Sequence, residues 1–438
     1  MSLISTPPAP SAASPGRTPR ALTGTRDATV DLVRAASLIA VVIVHALMVG
    51  VSMQGGEAVL ENALEPWGGF TVFSWFAQMM PLFFIAGGFA SATHFRRQRS
   101  RGVTAPGYVA SRLGRLLPVP LLAAGATTLV LAVLTLSGMD PAIVATAGWR
   151  MSQPLWFLGV YVLCSALVPA MLTMHERAPR LTLALLGAGI LAVDGLRFLT
   201  GVDAVGFVNL LLVWLFVQQL GFLLADGIVP GPRLGLAALG FGAALIAVGA
   251  SPANLFEALN PPTAVLALLG VVQFAVFAAI RPHLERLASV PVVRDIAHAL
   301  NSRSMTIYSW HMPVTVLLAG GLLVATGLLG GTLPLPLGSD WWLSRPAWLA
   351  AVALVVTLAV LGACRLERRA LAWVRTAAAP SPARAAAAAL TGGAGVLVIL
   401  AGTGALWAWI AGSALLAAAL LTSCEWRQNA KAIPSSTP

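Results

Sequence analysis

Charge is what this sequence has least of. Only 10% of its 438 residues are Asp, Glu, Lys or Arg, against roughly 25% in a soluble domain. Such a chain cannot cover a water-facing surface, which excludes a cytosolic enzyme, a nucleic-acid-binding domain and a disordered protein. Lysine is almost missing: Lys431 is the only one, so the net charge of +11 is carried by arginine. The arginines sit in short loops between apolar runs, so the excess implies no nucleic-acid partner. Cysteine is equally sparse. Cys164, Cys364 and Cys424 lie in apolar runs with no CxxC spacing, which argues against a disulfide framework or a metal site. No repeat of 20–50 residues is visible, nor are two matching halves of the kind many transporters show.

What the chain has in quantity is apolar sequence: 58% hydrophobic residues and a mean hydropathy of +0.84. A spanning helix needs about 20 mostly apolar residues. That window selects 29–50, 67–93, 113–136, 155–174, 181–199, 206–226, 234–250, 262–281, 304–327 and 346–364. The stretch 386–424 is too long for one span and reads as a hairpin bent near Gly402–Gly404. The expected fold is an all-α, polytopic membrane bundle with a ten-span core and a C-terminal apolar hairpin. In domain terms, 1–25 is a disordered cytoplasmic tail, 26–376 the ten-span unit, 377–425 linker and hairpin, and 426–438 a tail. Arginines occupy every second loop, as in Arg96, Arg97, Arg99 and Arg101, then Arg177 and Arg180, then Arg281 and Arg286. By the positive-inside rule the N-terminus is cytoplasmic, and the chain is a multi-pass protein of the cell (inner or plasma) membrane in contact with its lipids.

Ionisable groups inside apolar spans carry the functional signal, because each costs roughly 2.5–3.5 kcal/mol at mid-membrane. The first span reads DLVRAASLIAVVIVH, Asp31 to His45. Asp31 and Arg34 have the spacing of a pair on one helical face. Arg34 and His45 are eleven apart. That spacing leaves roughly 20° of azimuth and about 16 Å of rise between them. One face would thus carry a cation at its mouth and an imidazole deep inside. SRLGRLLP places Arg112 and Arg115 on one face at the start of the third span, beside FRRQRSR. Together these could clamp a polyanion such as a nucleotide phosphate. SMTIYSWHMP adds Tyr308 and His311 ahead of Pro313, a kinked setting suited to a cavity wall. Trp156 opens the fourth span, where an interfacial aromatic belt is an equally good account. A packed interhelical hydrogen bond explains His311 as well as chemistry does, and Asp194 and Arg197 read as a self-neutralising pair.

The residues together resemble the membrane-bound acyltransferase-3 family. The acidic residue, Arg34 and His45 resemble its first-span signature; MPLFFIAGGFAS, SRLGRLLP, PLWFL and IYSWHMP are similar to later elements, in family order across 27–364. The resemblance implies an integral membrane O-acyltransferase. It would move an acyl group, usually acetyl, from acyl-CoA to a hydroxyl of a carbohydrate, lipid-linked or small-molecule acceptor. No bound cofactor is implied. Carried over, His45 is the catalytic histidine, Arg34 its partner, and Arg112 and Arg115 the donor-side cations, with Asp31, His311, Tyr308 and Trp156 as further cavity candidates. The fourth span lacks the glutamate-containing form of its motif, and no hydrolase-like domain follows, which favours a lipid-linked or smaller acceptor. The intramembrane Arg and His also fit a proton-coupled transporter of an anionic or acylated molecule, and a non-catalytic scaffold is a third reading.

Overall fold

A computed structural model describes residues 27–54, 57–371, 374–376 and 381–426. The tails at 1–25 and beyond 426, with Arg17, Arg20, Arg427 and Lys431, lie outside the described residues. The fold is a bundle of helices: α1 (Ala28–Met48), α2 (Phe70–Ala77), α3 (Met80–Arg99), α4 (Ala105–Leu116), α5 (Pro118–Leu136), α6 (Pro141–Ser152), α7 (Leu155–Arg177), α8 (Pro179–Thr200), α9 (Asn209–Ala225), α10 (Pro232–Ala247), α11 (Ala264–Ala288), α12 (Pro291–Ser302), α13 (Ser304–Leu328), α14 (Ser339–Leu371), α15 (Pro382–Ala401) and α16 (Leu406–Ser423). Among the described residues eleven segments are long and apolar enough to cross a membrane, and α10 is a shorter apolar helix. An antiparallel hairpin, β1 (Val49–Gln54) and β2 (Glu57–Asn62), follows α1. It marks one end of the molecule, the hairpin end; the α3–α4 turn marks the basic end.

Helix α1 begins at the basic end because Asp27 caps it. Its Oδ1 accepts from Thr29 N at 2.9 Å and Val30 N at 3.3 Å, while its Oδ2 holds Arg281 at 2.7 Å. Capping joins two orphan amides to an ion pair and fixes where the span enters. Helices α3 and α9 then cross at backbone contact: a Cβ on Gly221 would meet the Ile85 carbonyl and come within 2.8 Å of Gly88 Cα. Small residues are what lets two membrane helices approach this closely.

Two segments expected as continuous spans, 67–93 and 113–136, are broken, and the expected span at 155–174 is joined by an added helix on its N-terminal side. Helices α2 and α3 part at Gln78–Met79, α4 and α5 at Leu117, and α6 and α7 at Gln153–Pro154. A break leaves backbone groups to be satisfied inside the protein. At the first break Gln273 does this, its Nε2 donating to Gln78 O at 2.7 Å and its Oε1 accepting from Leu82 N at 3.0 Å. The β-hairpin, α6 and α12 were among the elements not expected; the apolar Val292 and Ile296 of α12 are exposed beside the basic end. The expected Asp194–Arg197 pair is also replaced. Asp194 accepts from Asn209 Nδ2 at 2.8 Å and Ala264 N at 2.6 Å, and Arg197 pairs with Asp203 at 3.1 Å.

The C-terminal helices form the hairpin read from composition, turning through Gly402–Ala405. Their seat on α6 is another backbone contact. A Cβ on Gly404 would strike the Ala145 carbonyl, and one on Gly148 the Gly404 carbonyl; Gly404 also has φ +89°, a conformation that favours glycine. The hairpin therefore packs directly on the helices that carry the site.

Candidate active site

Histidines 266 positions apart meet where α1 and α13 cross. His45 Nδ1 lies 2.8 Å from His311 Nε2, with the rings 5.1 Å apart and within 10° of parallel. His311 Nδ1 lies 2.7 Å from the Tyr308 carbonyl. A carbonyl only accepts, so His311 carries its proton on Nδ1. Its neutral ring then presents a lone pair at Nε2, which accepts from His45 Nδ1–H. A neutral His45 is left with an unprotonated Nε2. The direction of this chain follows from one backbone carbonyl. His311 is wholly buried whereas His45 is partly exposed, so the unprotonated nitrogen of the pair belongs to the more exposed of the two residues.

Tyr308 and Trp156 belong to the wall beside this pair. The Tyr308 hydroxyl donates to the Pro154 carbonyl at 2.6 Å, closing the α6–α7 break. Trp156, in the first turn of α7, packs on Trp214 at 5.7 Å, and Trp214 is fully buried. Trp156 thus packs against the bundle interior rather than standing free on the surface. From His311 a line of rings runs toward the basic end: Tyr308 at 6.2 Å, Phe157 a further 5.1 Å, then Tyr161 at 5.3 Å. It ends at Arg112, whose Nη2 donates to the Tyr161 hydroxyl at 3.0 Å and whose Nε is buried with no partner.

The cations of the basic end fall into two groups. Arg96 pairs with Glu176 at 3.1 Å and Asp226 at 2.6 Å, and Arg99 with Glu176 at 2.9 Å. Those two arginines are neutralised, and Asp226 also takes the buried His175 at 3.0 Å. Arg97, Arg112 and Arg115 instead surround His94, and none of the three has an ion pair among the described residues. Arg112 and Arg115 share a helix but differ in role: Arg112 turns inward to Tyr161, and Arg115 is exposed. His94 was not singled out from the sequence; its i,i+3 spacing to Arg97 was the available signal.

Two first-span expectations change. Asp31 and Arg34 do not pair with each other among the described residues. Asp31 instead lines a cavity of about 340 Å³ with Ala28, Val293 and His298, and its carbonyl accepts from Asn301 Nδ2 at 2.7 Å. Helix α12 thus packs beside Asp31 at the basic end of α1. Arg34 is partly exposed and makes no hydrogen bond among the described residues. No cluster of three or more His, Cys, Asp or Glu suited to a metal occurs among the described residues.

Residues 27–364 match the family model for the acyltransferase-3 domain, described as an acyltransferase domain. The chain belongs to the acyltransferase-3 family. It is a multi-pass membrane protein of a transferase family, and both histidines, both broken spans of the wall and Arg112 fall inside the matched region. The α15–α16 hairpin lies beyond it. No curated protein and no solved structure matches the chain.

Proposed function

We propose that this acyltransferase-3 protein is an O-acyltransferase that takes an acyl group, most simply acetyl, from acyl-CoA and places it on a hydroxyl of a carbohydrate, lipid-linked or small-molecule acceptor. The observation that carries the reading is the His45–His311 pair, which leaves Nε2 of the partly exposed His45 free to act as a base. The acceptor hydroxyl gives its proton to this nitrogen as its oxygen attacks the thioester carbonyl. The tetrahedral intermediate then expels the thiolate, which recovers the proton from His45; the C–O bond formed replaces the C–S bond broken. His311 Nε2 faces the His45 Nδ1–H throughout and supports the imidazolium while it carries the proton, as the third group of a catalytic triad supports its base.

The donor's place at the basic end is supported by charge and by length. Arg97, Arg112, Arg115 and His94 offer donors to phosphates without a competing carboxylate. An extended pantetheine arm of about a dozen bonds reaches ~15 Å, the order of the ring line from Tyr161 to His311. Arg34, on the same face as His45 but about 16 Å nearer the basic end, is assigned to holding the donor there. The alternation of basic loops supports a cell-membrane location with the N-terminus and donor site cytoplasmic.

The test is release of free thiol from acetyl-CoA by purified protein given an envelope extract. The expected result is release by wild type and none above background by His45→Ala. Equal release by both removes His45 from the chemistry.

A further inference from the structure

The cations of the basic end have a use in acyl transfer; a cation at the hairpin end has none yet. Arg345, in the first turns of α14, lies 4.3 Å over the Trp341 ring and 5.7 Å from that of Trp348. Its Nε donates to the Trp341 carbonyl at 3.1 Å and its Nη2 to Ser344 Oγ at 3.1 Å. Two of five guanidinium N–H groups are thus used to fix the plane, and the rest, including both on Nη1, are uncommitted. Arg345 is only partly exposed, and it makes no ion pair among the described residues, unlike Arg96, Arg99, Arg197 and Arg281.

The site is tied to the catalytic pair. The Trp348 indole donates to the Ala46 carbonyl at 2.8 Å, one residue from His45. Trp341 also packs on Trp342 at 4.7 Å, and Trp342 on Trp67 at 5.7 Å. A guanidinium held over one indole and flanked by a second, with its free edge unpaired, is preorganised for two parallel hydrogen bonds to an oxyanion. We infer that Arg345 binds an anionic oxygen group, carboxylate or phosphate, carried by the hydroxyl acceptor. The acceptor is then an acidic molecule that enters at the hairpin end, opposite the donor. This rests on the acyl-transfer reading above. A lipid phosphate offers the same chemistry, so the test includes that source.

Wild type, Arg345→Gln and Arg345→Lys are prepared in maltoside detergent free of lipid phosphate and in phosphatidylglycerol nanodiscs. An envelope extract is divided on an anion exchanger into neutral and acidic pools, and carbonyl-labelled acetyl-CoA is supplied. Label is expected in the acidic pool. In Arg345→Gln the apparent KM for that pool rises about tenfold to a hundredfold, the range for a lost charged hydrogen bond, while the KM for acetyl-CoA moves less than about twofold. Arg345→Lys keeps the charge without the fork and falls between; it supplies the comparison if the glutamine variant is not recovered. Label confined to the neutral pool overturns the inference alone. An Arg345 effect seen only in nanodiscs assigns the guanidinium to a lipid headgroup and also overturns it. No label in either pool from wild type removes acyl transfer, and the inference with it.

Discussion

Replacing His311 separates a histidine that works through His45 from one that merely packs. His311→Ala removes the acceptor of the His45 Nδ1 proton, 2.8 Å away. Two losses follow. The hydrogen bond that orients the ring contributes about 1 kcal/mol, or roughly fivefold. The tautomer is also no longer selected, so Nε2 carries the proton part of the time, and some of the roughly 10²–10⁴-fold that a positioned base supplies is forfeited. The expected fall in kcat is about 10²-fold, with the KM for acetyl-CoA within about twofold of wild type. His311→Gln restores an acceptor oxygen near the position of Nε2 and is expected within about tenfold of wild type. Because His311 is fully buried, alanine also leaves a cavity, with a stability loss of a few kcal/mol on the order seen for core truncations. Initial rates of thiol release are therefore compared below the melting transition of every variant. Wild-type kcat in His311→Ala, or a glutamine variant no better than alanine when both are folded, refutes the reasoning.

The other expectations concern the donor wall and the breaks. Arg34→Lys is expected to lose activity by more than about tenfold while inserting normally, because lysine lacks the planar fork; retained activity means a point charge suffices. Tyr161→Phe removes the hydroxyl that holds Arg112 at 3.0 Å and should raise the KM for acetyl-CoA by about threefold to tenfold with little change in kcat, read from donor titrations. Gln273→Leu leaves the Gln78 carbonyl and the Leu82 amide unpaired at the α2–α3 break, at a cost of about 1–3 kcal/mol for each buried group, seen as a lowered melting temperature in detergent. Gly404→Ala forces a side chain against the Ala145 carbonyl and should destabilise by about 1–3 kcal/mol, measured in the same way.

Hydropathy and arginine placement were enough to read most of the bundle, because a membrane helix is written as a long apolar run and its flanks as charge. The shared face of Arg34 and His45 followed from helical geometry alone. The breaks at Gln78–Met79 and Leu117 did not, since both sides of each break remain apolar and the window averages over them; Pro118 was the visible mark of the second. The meeting of His45 and His311 depends on how α1 and α13 cross, which no local pattern encodes. Charge compensation was hidden for the same reason. FRRQRSR reads as one cationic patch, yet Glu176 and Asp226 come from α7 and the end of α9 to neutralise Arg96 and Arg99. Asp31 and Arg34 show the converse: they are correct in spacing, yet they do not pair with each other among the described residues, and the neighbours that line Asp31 come from α12, distant in sequence.

The central claim is that His45 moves an acyl group between two molecules. The most direct measurement follows carbonyl-labelled acetyl-CoA in membrane vesicles holding equal amounts of wild type or His45→Ala, with envelope extract as acceptor. The account predicts label bound as an ester to an acceptor, matched mole for mole by free CoA, in wild-type vesicles only. Label that crosses the membrane still attached to CoA, or ester formed equally by both proteins, contradicts it.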